Sequence, residues 1–326
     1  MGVFGDNLKN GSAMARVAGL VFSMDRALQL DCALRSFLLH CKDHKSVKLF
    51  VIFKTTSELH ALQYAQLKLD YRHNNLIIFV EEAQFQRQVL GVPWRWQIFW
   101  FLRPFVVMIL GLCEKGGYSA SKLWGWFFAE YLVFMVDDNV FVSDFRMGDV
   151  VHALKTHPET LGFSLRLGVN TTWSYALNRA QPLPAFEQAA QGVLKYRWVN
   201  AEADFAYPLE VSSSVYRTSD LVPVLERVKF NNPNTLEDEL HLRIGLFAES
   251  RPSLLCCEQS VAFSTPINKV QKTHNNRAGE DSRRDSVRLA NLFDEGFRIN
   301  VESFNSLVPT SCHMEVELAF EKKGVA

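Results

Sequence analysis

The sequence has 326 residues, of which 48% are hydrophobic and 21% are charged. This is the composition of a globular protein long enough for one large domain. Lys and Arg number 35, as do Asp and Glu, so no net charge favours a nucleic acid as a partner. The polar, glycine-containing stretch 1–16 does not resemble a signal peptide. We expect a cytoplasmic protein with reduced thiols, because the six cysteines form no CxxC pair.

Strands and helices alternate in the first half. Apolar runs at 15–23, 47–55 and 75–82 have the length of buried strands, and a helical pattern follows each of them. Ser57 is the expected N-cap of the second helix. Such alternation predicts an α/β fold with a mostly parallel central sheet flanked by helices, which binds ligands beyond the carboxyl ends of its strands. The polar residues at those ends are Ser23, Asp25, Arg26, Lys54, Glu81, Glu82, Asp137 and Asp138.

The stretch YLVFMVDDNVFV, residues 131–142, ends a buried strand on two adjacent carboxylates. Asp137 and Asp138 repel each other, and burial of an ionised carboxylate without a partner is costly. The pair therefore needs an exposed strand end or a positive partner. A divalent cation, which prefers oxygen ligands, is such a partner, so the stretch indicates a metal site.

The second half is less regular. We expect its strands and helices to supply the other side of a site within the same domain. The predicted elements are strands at 160–168 and 209–217, a helix at 218–229, a helix that begins after Asn234 or Thr235, and a polar mobile loop at 273–286.

The segment 96–113 is strongly apolar but is interrupted by Arg103 and Pro104. Its uninterrupted parts are too short to span a bilayer. A buried helix is the preferred interpretation. Peripheral contact with a membrane, favoured by the nearby tryptophans, is the alternative, and it would place the protein at the inner face of the membrane.

Three stretches, in this order, resemble nucleotide-sugar glycosyltransferases of the family 2 type, which have a GT-A fold. They are VFSMDRALQLDCALRSF (21–37), MVDDNVFV (135–142), and EVSSSVYRTSDL (210–221) followed by NPNTLEDELHLRI (232–244). The resemblance runs from about residue 17 to residue 270. It implies a metal-dependent, inverting, hexosyltransferase-like enzyme of polysaccharide biosynthesis. Such an enzyme uses Mn²⁺ or Mg²⁺ and moves a sugar from a nucleotide-sugar donor to a hydroxyl of a glycan or lipid-linked acceptor.

The resemblance also divides the chain. Residues 17–307 form the GT-A domain, with a nucleotide-binding half at 17–145 and an acceptor half at 146–307. Residues 1–16 are expected to be a flexible N-terminus, and residues 308–326 a C-terminal tail.

In the family, the metal motif is commonly Asp-x-Asp, whereas Asn139 occupies the third position here. Either Asp137 and Asn139 both ligate the metal, or Asp138 ligates it directly while Asp137 contacts the ribose or a metal-bound water. We prefer Asp138 as the ligand. A late histidine, His274, is a further candidate, because the loop beside it is expected to order over the donor.

Arg26 is predicted to grip a phosphate or stack on the base, with an ion pair to Asp31 as the equal alternative. Asp25 either contacts the nucleoside or caps the following helix. The other predicted nucleotide contacts are Ser23, Asp137, Lys54 and Glu82.

The Glu-Asp motif supplies the general base of an inverting transferase in this family, and it falls on Glu237 and Asp238. We prefer Asp238; the alternative is a pair of ordinary acids in the first turn of a helix. Trp173 is a candidate platform for a sugar face, although core packing is the commoner fate of an aromatic side chain. The remaining predicted substrate contacts are Arg166, Asn170, Ser213, Asn268 and Gln271.

A second hypothesis is a non-catalytic GT-A domain that binds a nucleotide or a carbohydrate without turnover, which the substitution at Asn139 favours. A nucleotidyltransferase is a weaker third reading, because no glycine-rich phosphate loop follows the first strand.

Overall fold

The computed structural model describes residues 17–92, 129–267 and 286–324. The expectations for Asn268, Gln271, His274 and the segment 96–113 lie outside the described residues. The same holds for nearly all of the expected loop at 273–286.

Fifteen strands and seven α-helices form within the described ranges. The strands are β1 (Val17–Met24), β2 (Val47–Lys54), β3 (Ile77–Glu81), β4 (Tyr131–Val136), β5 (Asn139–Phe141), β6 (Thr160–Ser164), β7 (Trp173–Ser174), β8 (Arg179–Ala180), β9 (Glu187–Ala190), β10 (Val193–Arg197), β11 (Ser214–Arg217), β12 (Ser253–Cys257), β13 (Ala262–Ser264), β14 (Phe297–Ile299) and β15 (Phe320–Lys322). The helices are α1 (Ala27–His40), α2 (Glu58–Asp70), α3 (Phe85–Gly91), α4 (Met147–Thr156), α5 (Thr218–Leu225), α6 (Pro233–His241) and α7 (Ser286–Asp294).

The central sheet of the described chain has the strand order β3-β2-β1-β4-β11-β6-β12-β10-β9. Strands β3, β2, β1 and β4 run parallel to one another, and β6 pairs in parallel with β12. Strand β11 lies antiparallel between β4 and β6. The predicted α/β fold with a mostly parallel central sheet flanked by helices is confirmed. Its carboxyl edge carries the polar residues that end β1, β2 and β4.

Both faces of the sheet are buried, because alternate residues of each strand point to opposite faces. On β1, Val21 packs into the layer that contains Leu34 of α1, whereas Phe22 packs into the other layer, with Phe85 of α3. This accounts for the unbroken apolar run of the first strand, which is typical of a sheet covered on both sides.

The helix starts follow local capping chemistry. The Ser57 side chain accepts a hydrogen bond from the backbone N–H of His60, as predicted for the N-cap of α2. Helix α6 begins earlier than expected. The Asn232 side chain accepts from the backbone N–H of Thr235, and Pro233 suits the first turn because it has no N–H to leave unpaired.

Three predicted elements of the second half are shorter in the structure. The strand expected at 160–168 ends at Ser164, and the helix expected at 218–229 ends at Leu225. The strand expected at 209–217 begins only at Ser214, because Ser213 adopts a left-handed φ of 55° that no strand permits. The residues before Ser214 instead form a loop at the carboxyl edge of the sheet.

The C-terminal residues are not a separate tail. Strand β15 pairs with β14, and the backbone N–H of Met314 donates to the carbonyl of Ser264 at 3.0 Å. The backbone N–H of Ser264 in turn donates to Cys312 O at 2.8 Å. The segment 310–315 therefore crosses the carboxyl edge of the sheet beside β13.

Candidate active site

A pocket of about 800 Å³ lies at the carboxyl edge of the sheet and is lined from both halves of the chain. Eight of the predicted site residues line it, namely Ser23, Arg26, Lys54, Glu82, Asp137, Asp138, Arg166 and Glu237. Six others lie outside its lining, namely Asp25, Asn139, Asn170, Trp173, Ser213 and Asp238.

Asp137 is bound to the loop that follows β1. The Ser23 hydroxyl and the Met24 backbone N–H donate to its Oδ2 at 2.9 and 3.3 Å, and the Arg26 Nη1 donates to its Oδ1 at 3.0 Å. The Tyr64 hydroxyl contacts Ser23 Oγ and accepts from the backbone N–H of Arg26. Both carboxylate oxygens of Asp137 are thus used to shape the first loop.

Arg26 is the positive partner of the acidic pair. Its Nη1 lies 3.0 Å from Asp137 Oδ1 and 3.6 Å from Asp138 Oδ2. Asp31, the alternative partner expected for Arg26, pairs with Arg35 at 2.8 Å. A guanidinium at this position neutralises part of the charge that a cation was expected to balance.

Asp138 lines the pocket with one oxygen buried. No described residue donates a hydrogen bond to its Oδ1, whereas its Oδ2 lies 3.6 Å from Arg26 Nη1. Burial, helped by the nearby Asp137, outweighs the opposing charges of Arg26 and Arg166 and raises the pKa of Asp138 to about 6. A buried carboxylate oxygen of this kind fits a divalent cation or a hydrogen-bond donor of a ligand.

Asn139 points away from the pocket. Its Oδ1 accepts from the Val136 backbone N–H at 2.9 Å, and its Nδ2 donates to Ser264 Oγ at 2.8 Å. An aspartate at this position could only accept from the Ser264 hydroxyl, since an ionised carboxylate does not donate. The amide therefore joins the turn after β4 to β13, and this geometry does not support the expected role of Asn139 as a metal ligand.

Asp25 fixes the loop after β1 to the loop after β2. Its carboxylate accepts from the backbone N–H of Thr56 at 2.8 Å and from the Thr56 hydroxyl at 2.6 Å. Its φ is 57°, a conformation tolerated better by Asp than by most residues. Neither the expected nucleoside contact nor the helix cap is supported. Beyond this loop, Lys54 and Glu82 line the pocket, with Lys54 Nζ 3.5 Å from Glu82 Oε1.

A buried ion pair forms the opposite wall. Arg166 is 4% exposed, Glu210 is 7% exposed, and the Arg166 Nη2 contacts Glu210 Oε2. The Arg166 Nη1 also donates to Ser264 Oγ at 2.9 Å and to His313 Nε2 at 3.3 Å. Because arginine only donates, the Nε2 of His313 carries no proton. Burial and the Arg166 charge lower the pKa of His313 to about 3, which keeps the ring neutral.

The charge of Arg166 acts on both sides of the pocket. It opposes the rise in pKa that burial imposes on Asp138 at the end of β4 and on Asp204 of the acceptor half. Arg166 therefore shares one pocket with the acidic pair and with Asp204, and its charge acts on both. Sequence reasoning placed Arg166 here but missed Glu210, which it assigned to a strand. It also missed His313, which no motif marks.

The two acids of the Glu-Asp motif separate as helical geometry requires. Glu237 lines the pocket, and its Oε1 accepts from the Val211 backbone N–H at 3.4 Å, whereas Asp238 lies outside the lining. Burial raises the pKa of Tyr207, and both acids raise it further. The Tyr207 ring lines the pocket and stacks on His241 with centroids 4.5 Å apart.

The three remaining predicted substrate contacts among the described residues, Asn170, Trp173 and Ser213, do not line the pocket. The Asn170 side chain donates to Ser260 Oγ at 2.7 Å and accepts from the Ser260 backbone N–H at 2.9 Å. Trp173 is 41% exposed outside the lining, whereas its neighbour Tyr175 lines the pocket and donates to Glu315 Oε1 at 2.7 Å. Ser213 is buried, and its carbonyl accepts from the Leu165 backbone N–H.

The described ranges contain no group of three or more His, Cys, Asp or Glu side chains that could hold a metal ion. The described side chains alone would therefore not complete the ligand set of a cation at Asp138. Within the same ranges, no helix is long and apolar enough to cross a membrane.

Comparison with known proteins identifies a relative in sequence. No family model matches the chain. The bifunctional glycosyltransferase pgtA of Dictyostelium discoideum is 24% identical over 283 residues, which cover 79% of this chain and 32% of pgtA. This chain is a relative of a glycosyltransferase. The predicted resemblance is confirmed, and the chain spans about a third of the length of that relative.

Solved structures with a similar arrangement include S. aureus TarS, which is 14% identical with a TM-score of 0.44 and matches 76% of this chain and 36% of TarS. A shorter TarS chain in complex with UDP is 15% identical with a TM-score of 0.43, over 77% of this chain and 61% of that one.

Proposed function

We propose that the chain is a metal-dependent, inverting glycosyltransferase that moves a sugar from a nucleotide-sugar donor to a hydroxyl of a glycan or lipid-linked acceptor. The observation that carries the proposal is one pocket that joins the acidic pair at the end of β4 to Glu237 on α6. Donor-side and acceptor-side chemistry thus share one cavity. The similarity to pgtA, itself named a glycosyltransferase, supports the reaction class.

The charge of the pocket supports a metal. Among the described residues, its lining has three cations and six carboxylates, a formal charge of −3 when all are ionised. The cations are Arg26, Lys54 and Arg166, and the carboxylates are Glu82, Asp137, Asp138, Asp204, Glu210 and Glu237. A nucleoside diphosphate is itself an anion, so its binding here requires added positive charge.

Mn²⁺ or Mg²⁺ fits at Asp138, because this carboxylate lies beside Asp137 in a pocket whose described lining carries a net negative charge. When bound, such a cation supplies positive charge that stabilises the leaving diphosphate. Asp137 has a different task. It holds Arg26 and the loop after β1 in place, and this leaves Asp138 as the carboxylate directed to the ligand.

The residues of the first half are proposed to hold the nucleotide. Arg26 lies at the rim of the acidic pair, where its guanidinium can donate to a phosphate oxygen. Lys54 and Glu82, at the ends of neighbouring strands, offer a donor and an acceptor for the nucleoside. Asp25 acts at a distance, because its bonds to Thr56 keep the first loop closed against the second.

Glu237 or Asp238 is proposed as the base that takes the proton of the acceptor hydroxyl. The position of Glu237 in the pocket lining favours Glu237, although the sequence favours Asp238. A base on the wall opposite the diphosphate suits attack from the far side of the sugar, which inverts the anomeric centre. The free, buried state of the five described cysteines accords with action in the cytoplasm or at the inner face of its membrane.

The test uses the full chain and a panel of UDP- and GDP-sugars. We expect a rise in melting temperature with UDP or GDP in the presence of Mn²⁺, because a ligand of the native state stabilises it. We also expect release of nucleoside diphosphate that EDTA abolishes. Stabilisation without release by any donor would instead identify a binding module. The absence of both responses would overturn the proposal.

A further inference from the structure

The Arg166–Glu210 pair borders the part of the pocket that the transferred sugar would occupy if the proposed function holds. Arg166 follows β6 and Glu210 precedes β11, and both line the pocket. Strand β11 lies between β4 and β6 in the sheet, so the pair lies next to the acidic pair that ends β4. It shares the lining of one pocket with that acidic pair and with Glu237.

Every cation of the described lining already has a carboxylate partner. Arg26 pairs with Asp137 at 3.0 Å, and Lys54 pairs with Glu82 at 3.5 Å. Arg166 pairs with Glu210, whose other oxygen accepts from the Ser214 hydroxyl. Two acceptor bonds leave the Glu210 carboxylate with lone pairs for further hydroxyl donors, because a carboxylate has about four acceptor sites.

We propose that Glu210, oriented by Arg166, determines specificity for the transferred sugar by accepting hydrogen bonds from its hydroxyls and excluding sugars that carry a carboxylate. The inference rests on the proposed function and names its donor class, nucleotide sugars with an uncharged sugar. A hydroxyl donates well to a buried carboxylate, since charge-assisted hydrogen bonds are the stronger ones. A uronic acid would add a negative charge beside Glu210 and meet no unpaired cation in the described lining.

The experiment compares donors that differ at one carbon. UDP-glucose and UDP-glucuronic acid, and likewise GDP-mannose and GDP-mannuronic acid, exchange a hydroxymethyl for a carboxylate. We expect wild-type kcat/KM for nucleotide release to favour the uncharged member of the accepted pair by about 100-fold or more, from charge repulsion at short range in a buried site. Titration calorimetry of the two donors gives the same comparison without turnover.

Glu210→Gln tests the residue itself. The amide keeps the shape and removes the charge, so the preference should fall by about tenfold or more. Glu82→Gln, which removes a pocket carboxylate at the nucleotide end, should leave the ratio unchanged because both donors share the nucleotide. UDP affinity and melting temperature verify the fold of each variant. If Glu210→Gln does not fold, Ser214→Ala is used, which keeps the Glu210 charge and should retain the preference.

The outcomes separate the two proposals. Nucleotide release with equal use of both donors, or an unchanged preference in a folded Glu210→Gln protein, overturns the role of Glu210 and leaves the proposed function standing. Loss of the preference in Ser214→Ala does the same. No release from either pair or from any other donor of the UDP- and GDP-sugar panel overturns the proposed function and this inference with it.

Discussion

The two walls of the pocket are built in different ways. The nucleotide-side wall consists of residues that end adjacent parallel strands, so the order of strands in the chain already brings Ser23, Lys54 and Asp137 together. The opposite wall joins Arg166 to Glu210 and to His313, which come from separate loops and from the C-terminal segment. The first wall follows from the sheet, whereas the second exists only once distant loops have packed.

The walls also differ in how their charges are balanced. On the nucleotide side, the two carboxylates of the acidic pair share the Arg26 guanidinium. On the opposite side, Arg166 has a carboxylate, a hydroxyl and a neutral imidazole as acceptors. The first wall can therefore bind an added cation, whereas the charge of Arg166 in the second wall is already balanced by its acceptors. Substitutions in the two walls should therefore differ in size and kind.

The largest effect is expected from Asp138→Asn. The variant keeps the shape but loses the charge that would hold a divalent cation, so Mn²⁺-dependent turnover should fall on the order of 10³ to 10⁴-fold. Nucleoside diphosphate release at saturating donor measures it. Asp149→Asn, on α4 outside the pocket lining, is the control. Full Mn²⁺-dependent activity in the folded Asp138→Asn protein would exclude Asp138 as a ligand.

Glu237→Gln should lower the single-turnover rate on the order of 10² to 10³-fold, because an amide cannot take the acceptor proton. Affinity for the nucleoside diphosphate should stay nearly unchanged, since Glu237 lies on the other wall. Asp238→Asn is the matched comparison. A large loss in Asp238→Asn with little loss in Glu237→Gln would reverse our assignment and restore the one that the sequence favours.

His313→Ala should raise the donor KM by roughly tenfold, because the alanine leaves Arg166 without one of its acceptors. His313→Gln should restore much of the affinity, since its amide oxygen can accept in place of Nε2. The His313 pKa of about 3 means that the ring stays neutral at ordinary pH, so the glutamine variant should keep the wild-type pH profile. Equal defects in both variants would reduce His313 to a packing role.

The smallest effect concerns Asp70, which joins α2 to the C-terminal hairpin of β14 and β15. Arg298 Nη2 donates to its carboxylate at 3.1 Å, Gln66 donates at 2.8 Å, and Lys323 also contacts it. Burial raises the pKa of Asp70, but the three donors outweigh it and hold the pKa below its usual value. Asp70→Asn should lower the melting temperature by about 2–4 °C at pH 7.

The sign of the pH dependence follows from the lowered pKa of Asp70. A carboxylate of this kind stabilises the fold above its unfolded pKa of about 3.9, and the stabilisation is lost as the pH falls through the folded pKa. The difference between wild type and Asp70→Asn should therefore be present at pH 7 and shrink below about pH 4. Thermal melts across this range measure it, and a difference that grows in acid would contradict the ion-pair role.

Prediction from sequence succeeded where periodicity and strand order suffice. The apolar runs of β1 and β2, the Ser57 cap and the cluster of polar strand ends were all identified from the residues alone. Ser23, Lys54 and Asp137 meet at the carboxyl edge of the sheet as expected, because the carboxyl ends of parallel strands lie at one edge.

Prediction failed where tertiary partners decide the role of a side chain. Asn139 looks like a metal ligand in the sequence, but its side-chain amide donates a hydrogen bond to Ser264 on β13. Asp25 looks like a helix cap, but Thr56 binds its carboxylate. Ser213 interrupts an apparent strand through its backbone conformation. Hydrophobic pattern carries no information about these choices, which depend on residues far along the chain.

The crossing of the carboxyl edge by residues 310–315 has a consequence for synthesis. Domains begin to fold while the ribosome is still adding residues. A nascent chain that has emerged only as far as β13 can already pair its parallel strands, but it lacks the imidazole that accepts from Arg166. The opposite wall, which contains Arg166, is thus the last part of the pocket to form. An incomplete polypeptide would therefore acquire the sheet well before a finished pocket.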